Sequence, residues 1–351
     1  MPAFTGLFLA LIIGRMIQSS KKIVPWYSFG RVLVVSCYGL TGILPFFVPQ
    51  DYIVVAILLV WAFATVPQII VNVAFSVVMS GVAGPKYRYD LMSRRWSVLG
   101  LTNSIAVALV GQVLDRLNFP INYQIVFFVM SFAGLISFYF SSHIQLPETE
   151  PPPAMPGQSL STRLKNFVSL IKSQPAFSSF MIKRFVFFTG TTLATPLFPL
   201  YYVREVQASN AWIGIINTVQ SAVMLIGYSF WTRQSRSRGS RFVLLWTTLG
   251  LSTYPIWVAL THDVQLIAVY VAIAGIFQAG LDLVFFDELM KTIPVEYAAM
   301  FVAIAQMLQY FSTVASPLVG TTLADYIGLS GALIVSGVIR IIAFLLFLRG
   351  K

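Results

Sequence analysis

Little in this chain is charged, and almost nothing in it is equipped for soluble-enzyme chemistry. Only 10% of its 351 residues are Asp, Glu, Lys or Arg, against about 25% in an ordinary soluble domain, so a water-exposed globule would lack the polar surface to cover itself. One cysteine, Cys37, rules out a disulfide framework or a cysteine metal site; it sits in an apolar run and reads as inert packing. The two histidines, His143 and His262, fall in separate loops, and neither an H-E-x-x-H pair nor a G-x-x-x-x-G-K-[ST] loop is present. Zinc hydrolysis and ATP-driven pumping within the chain are thereby disfavoured, and no cofactor or metal is expected. Also missing is the roughly ten-residue alternation of polarity that marks an outer-membrane barrel.

What is present is apolar mass: 57% hydrophobic and 15% aromatic residues. It is gathered into long runs divided by short polar loops, as in helices that cross a bilayer. Eleven spans are expected, at 3–18, 29–48, 53–81, 97–114, 122–141, 184–203, 211–231, 242–261, 264–286, 298–322 and 331–348. At about 1.5 Å per residue most reach the roughly 30 Å hydrocarbon thickness, and the first is marginal. Lys21 and Lys22 follow that first span and no basic segment precedes it, which argues against a cleavable signal and places the N-terminus outside.

The basic residues test that orientation. With alternate loops assigned to the cytoplasm, nineteen of the 23 Lys and Arg fall in inner loops, counting Arg31 and Arg184 at the inner ends of their spans, and two, Arg116 and Arg204, in outer ones, while Arg15 and Arg340 fall within spans. This is the asymmetry expected of a multi-pass protein of a bacterial inner membrane with a cytoplasmic C-terminus. The net charge of +11 is therefore a matter of topology, and no nucleic-acid partner is needed to explain it. Arg15 and Arg340 read as side chains that snorkel to headgroups or pack against inner loops, with a gating pair the lesser alternative for Arg340.

Residues 1–142 hold five spans and 177–351 hold six, separated by an inner linker at 143–176. The linker opens with a stiff Pro147–Pro153 stretch, and Leu160, Leu164, Phe167, Val168 and Ile171 then predict an amphipathic surface helix over 160–173. The two halves repeat one another in parallel. Pro85 precedes Gly111 by the same 26 residues that separate Pro294 from Gly320; Gln68 and Asn72 of the third span are spaced as Gln278 and Asp282 of the ninth; Gly14 and Gly227 each precede a basic inner loop. Near-constant offsets of this kind betray a duplicated transporter architecture.

Two parallel halves, a long inner linker and basic loops after equivalent spans resemble the major facilitator superfamily across essentially the whole chain. In that family the loop after the second helix reads G-x-x-x-D-R-x-G-R-R. Here Gly14 and the basic pair Lys21–Lys22 are kept, with Gln18 and Ser19 standing where the family has Asp and Arg; the second copy, Gly227 to Arg233 and Arg236, is also degenerate. The resemblance implies that these residues form a conformational-switch loop without the family's Asp. It also implies that the first span matches the family's second helix. The family's first helix then has no counterpart, which reads as truncation in preference to a natural eleven-helix variant, because that helix lines the cavity.

The expectation is an all-α membrane protein, a permease moving a small solute by alternating access as a monomer in the lipid bilayer, driven by a coupling proton in one version and tending to efflux of an amphipathic compound. The rivals are a non-transporting scaffold or sensor on the same fold, an inactive truncated carrier, and, less favoured, an intramembrane lipid-modifying enzyme. Substrate or ion contacts are assigned to Gln68 and Asn72 on one face of the third span and Gln278 and Asp282 on one face of the ninth. Asn103, Asn217 and Gln220 are weaker candidates, and interhelical packing through amides is the bland alternative for the whole set. Asp282 is the acid within a span, and an intramembrane carboxylate is a functional hypothesis in itself.

Overall fold

A computed structural model describes residues 2–148, 169 and 171–349. All regular structure among them is helical: α1 Pro2–Gln18, α2 Val24–Ile43, α3 Gln50–Arg116, α4 Ile121–Ser142, α5 Pro175–Ala194, α6 Leu197–Arg204, α7 Asn210–Arg238, α8 Ser240–Ala259, α9 Val264–Thr292 and α10 Ala298–Arg349. Among the described residues, seven helical segments are long and apolar enough to cross a membrane, and the 17-residue α1 falls just short. The expected surface helix at 160–173 lies largely outside the described residues.

Two helices are far longer than a bilayer is thick, and each is broken by one glycine. Gly84 in α3 has φ +62° and Gly328 in α10 has φ +78°, a left-handed conformation that is costly for any residue with a Cβ and ends the helical path at that point. Pro85 after Gly84 has no N–H to lose at the start of the next segment. The span expected at 184–203 is corrected by the structure. A helix already runs from Pro175, and it breaks at 195–196 into α5 and α6, because Pro196 and Pro199 withhold two donors from the ladder and Thr195 N–H turns back to Thr192 O. Lys183 and Arg184 consequently lie in mid-helix and not in a loop. Arg184 is buried, its guanidinium 4.9 Å from the Phe188 ring centroid and 6.0 Å from that of Phe285.

The helices group into two compact units. One consists of Met1–Gly84, Thr102–Met155 and Ile293–Tyr310; the other of Pro85–Leu101, Pro156–Thr292 and Phe311–Lys351. Each unit thus takes a segment from the opposite end of the sequence. In the first, Ile17, Ile69, Val73, Phe301 and Val302 are sealed from the surface. α4 of the same unit exposes Phe128, Phe132 and Phe140, a face suited to acyl chains and not to water.

In the second unit, Phe177, Phe187, Leu197, Leu283 and Leu333 form the core, and Phe180, Phe187, Phe188 and Phe347 all pack on Phe285 with ring centroids 5.7–6.0 Å apart. Arg340 is 3% exposed in this core, so the snorkelling read from the sequence does not occur. Its Nη1 donates to Leu251 O at 3.1 Å. Pro255, four residues on in α8, has no N–H to give that carbonyl, and the buried guanidinium fills the place.

Candidate functional site

The polar residues of the spans collect into two clusters, one in each unit. In the first unit, α3 places Gln68 and Asn72 one turn apart, and Gln68 Nε2 donates to Asn72 Oδ1 at 3.1 Å. Asn72 Nδ2 donates in turn to Tyr310 Oη on α10 at 2.9 Å. All three side chains are part-buried, and the chain of bonds is neutral throughout.

In the second unit, Gln278 and Asp282 are likewise one turn apart on α9. Gln278 Nε2 donates to Asp282 Oδ1 at 2.8 Å, and Tyr228 Oη on α7 donates to Oδ2 at 3.1 Å. Both carboxylate oxygens are thus held by neutral donors. Among the described residues no cation lies within ion-pair distance of Asp282, whereas Asp287 and Glu288 further along α9 are both paired with Lys291, at 2.5 and 3.0 Å.

Small residues make this second cluster possible. A Cβ on Gly227 would lie 2.9 Å from Ala279 Cβ and 3.1 Å from Ile276 O, and one on Gly275 would lie 2.9 Å from Gln220 O. The backbones of α7 and α9 therefore meet closely in the manner of small-residue helix pairs in membranes. Trp231 Nε1–H clamps the same crossing by donating to Ile276 O at 2.7 Å. Tyr228, 4% exposed, follows Gly227 and is carried to Asp282 by that approach.

The residues expected to form a switch loop divide likewise. Gly14 on α1 rests against Ala299 and Ala303 of α10. One turn further Gln18 reaches the start of that helix: its Oε1 accepts from Ala299 N–H at 3.1 Å and Met300 N–H at 3.4 Å, while Nε2 donates to Glu296 O. The amide thus serves as a cap for donors that no residue of α10 itself satisfies. Lys21 is exposed, and Lys22 pairs with Glu148 at 3.0 Å. In the second unit Arg236 at the end of α7 forms an ion pair with Asp90 of α3, and Arg233 is exposed.

Among the described residues no side-chain hydrogen bond brings the remaining candidates to either cluster. Asn103 and Asn217 are exposed, the latter accepting Ser221 Oγ–H through its backbone carbonyl at 2.9 Å, and Gln220 contributes its backbone to the α7–α9 crossing. Tyr228, Tyr310, Gln18 and Asp90 were not foreseen as functional. The available signals were slight: Tyr228 follows a glycine already singled out, and Gln18 occupies the family's Asp position. Among the described residues no group of three His, Cys, Asp or Glu is placed to hold a metal.

Residues 180–351 match the family model of the Major Facilitator Superfamily. The match covers just under half of the chain, which is similar to this superfamily over its C-terminal part. The fold agrees over nearly the whole length. A bacterial homologue of the iron transporter ferroportin, crystallised outward-facing, superposes with TM-score 0.75 at 13% identity, covering 99% of this chain and 88% of that one. The human organic anion transporter MFSD10 gives TM-score 0.77 at 12% identity over 99% and 82%. The superfamily transporter FucP in its outward conformation gives 0.74 at 12% over 100% and 88%. In sequence, the multidrug resistance protein MdtG of Proteus mirabilis is 22% identical over 164 residues, 45% of this chain, and the match spans only 40% of that relative's length.

Proposed function

We propose that this chain is a secondary active transporter that moves a small solute by alternating access and that Asp282 binds the coupling proton or a cationic group of the solute. The superfamily match and the fold support the transporter reading. The observation that carries the site is the carboxylate of Asp282, set between Gln278 and Tyr228 inside an apolar helix pair with no basic partner among the described residues. A carboxylate so placed is costly unless it serves a cation or a proton. On this reading Gln68 and Asn72 are a neutral, solute-contacting counterpart, and Asn103, Asn217 and Gln220 extend the pathway.

The breaks at Gly84 and Gly328 are taken as loops, and the broken α5–α6 pair as a single pass, which supports the count of eleven passes, five before the linker and six after it. Gln18 on α10 and Arg236 on Asp90 each join a segment of the first sequence half to one of the second, so we read them as latches broken and remade in each cycle. The similarity to a multidrug resistance protein supports efflux of amphipathic compounds over uptake of a charged metabolite. Monomeric function, an outside N-terminus and the bacterial inner membrane complete the reading.

The test is flux in proteoliposomes under an imposed pH gradient, with panels of amphipathic cations and neutral sugars. Wild-type flux that follows the gradient, and Asp282→Asn flux that no longer does, is the expected result. Gradient dependence unchanged in Asp282→Asn removes the coupling role. Absence of any flux from folded protein, across both panels, removes the transporter reading in favour of a scaffold or sensor.

A further inference from the structure

The first unit contains a cavity of about 550 Å³ that plays no part in the transport reading. It opens at the start of α2, beside the basic pair that ends the α1–α2 loop. Its polar side is made by Lys22, the first turn of α2 and Ser28; Phe29, Phe138 and Leu146 make the apolar side. Residues 144–148, following α4, run along its edge.

Three features there are individually modest and jointly specific. The cap position of α2 is Ile23, which has no side-chain acceptor, and the helix carries no acid in its first turn. Pro25 has no N–H and Tyr27 N–H is bonded to Ile23 O, so Val24 and Trp26 supply the N–H groups that the first turn leaves without a helical partner, with the partial positive charge of the helix uncompensated. Ser28 is on the same face one turn on. It is 2% exposed, lines the cavity, and its Oγ has no hydrogen-bond partner. A serine in a helix ordinarily bonds the carbonyl four residues back, so a buried hydroxyl that does not is short of an acceptor. Third, Lys22 stands at the rim, where Glu148 Oε1 is 3.0 Å from its ammonium. A carboxylate already visits the position an anion would take.

We propose that this cavity binds a phosphate group, received by Lys22, the open N-terminus of α2 and the Ser28 hydroxyl, with the apolar wall taking the remainder of an amphipathic phosphate ester. Helix N-termini with a nearby cation are ready anion sites. The ester must displace Glu148 from Lys22, so Glu148 acts as an internal competitor, and the charge of that one residue sets how strongly the ligand binds. The phosphate can belong to a phospholipid headgroup or to a soluble phosphate ester; both share this chemistry.

The full chain, purified in dodecyl maltoside, is titrated with dioleoyl phosphatidylglycerol, with dioleoylglycerol as the phosphate-free control, and with inorganic phosphate, and binding is read by native mass spectrometry and thermal shift. Phosphatidylglycerol is expected to bind and dioleoylglycerol not to. Stabilisation by inorganic phosphate as well assigns the site to soluble phosphate compounds; stabilisation by the lipid alone assigns it to headgroups. Ser28→Ala and Lys22→Gln each weaken binding by about tenfold. Glu148→Gln, a change at an exposed side chain that spares folding, tightens it about threefold, an increase that a merely structural role for these residues does not produce. Equal binding of phosphatidylglycerol and dioleoylglycerol, or affinities unmoved in Ser28→Ala and Lys22→Gln with Glu148→Gln unchanged, overturns the proposal.

Discussion

The Gln68–Asn72–Tyr310 and Gln278–Asp282–Tyr228 clusters are built alike. In each, a glutamine donates to a residue one turn away on its own helix, and a tyrosine from another helix completes the set. They differ in a single functional group, the amide of Asn72 against the carboxylate of Asp282, and with it in the direction of the tyrosine bond. Tyr310 Oη accepts, and Tyr228 Oη donates. The amide version stands at modest cost, since interhelical bonds of this type contribute about 1–2 kcal/mol or less. A carboxylate in the same setting costs about 2.5–3.5 kcal/mol on insertion scales. The first unit shows that the neutral version suffices to join two helices, so packing alone gives no account of the charge in the second.

Exchanging that one group is the sharpest way to break the comparison. Asp282→Asn gives both units the neutral set and keeps the volume. Gradient-driven flux in proteoliposomes is expected to fall by about a hundredfold or more, since in the proposed coupling role the ionisable group has no substitute. Asn72→Asp, which charges the other cluster, should slow flux far less and leave its gradient dependence in place. If Asn72→Asp transferred gradient dependence while Asp282→Asn retained it, the two clusters would have exchanged the roles given to them.

A second difference between the units is the burial of cations: Arg184 and Arg340 of the second unit have no equivalent among the described core residues of the first, and Arg340 is the more telling. Its work is attributed to the carbonyl of Leu251, left without a donor by Pro255. Arg340→Met is expected to destabilise the protein by about 3 kcal/mol, in the range for a buried polar group whose partner is removed. Pro255→Ala restores an N–H four residues beyond Leu251, so the double variant should recover a large share of the loss. The readout is the thermal midpoint in detergent for the two single variants and the double variant; strictly additive effects would separate Arg340 from the proline.

How much of this could be read from the sequence varied with the range of the interaction. The all-helical membrane fold followed from composition and run length. The pairing of Gln68 with Asn72 and of Gln278 with Asp282 followed from a spacing of four residues, because a helix fixes that geometry locally. The tyrosines did not follow, since Tyr310 is 238 residues from Asn72 and no periodicity carries such information. Arg340 was misread because its depth on α10 fits a snorkelling side chain, and the demand it meets is created by a proline on a different helix. The α5–α6 break was legible in Pro196 and Pro199. The start of α5 at Pro175 was not, because Lys183 and Arg184 look like a loop until the aromatic rings of Phe188 and Phe285 are seen to receive Arg184.

The latches allow a gentler test. Gln18 holds the start of α10 through its neutral amide, and Arg236 holds Asp90 through charge. Gln18→Ala should cost about 1 kcal/mol, as for loss of a helix cap, and Gln18→Glu should keep the cap to Ala299 and Met300 but lose the bond to Glu296 O, so its cost falls between wild type and Gln18→Ala. The Arg236 pair is largely exposed, and its contribution should fade with added salt while that of Gln18 does not. Thermal midpoints of Gln18→Ala, Gln18→Glu and Arg236→Gln at low and high salt separate the two; salt sensitivity confined to Gln18→Ala would reverse the assignment.

The finest distinction lies with the tyrosines, where the comparison turns on one proton. Tyr228→Phe removes a donor to a carboxylate, an interaction of about 1.5–3 kcal/mol, whereas Tyr310→Phe removes an acceptor from a neutral amide, about 0.5–1.5 kcal/mol. Flux should accordingly fall by roughly tenfold or more in the first variant and by a few-fold in the second. The gradient dependence of the residual flux discriminates further. Tyr228→Phe should weaken it, because the bond removed is one to the carboxylate itself; Tyr310→Phe should leave it where it was. Equal loss in both variants would mean that the difference between Asn72 and Asp282 is not what separates their roles.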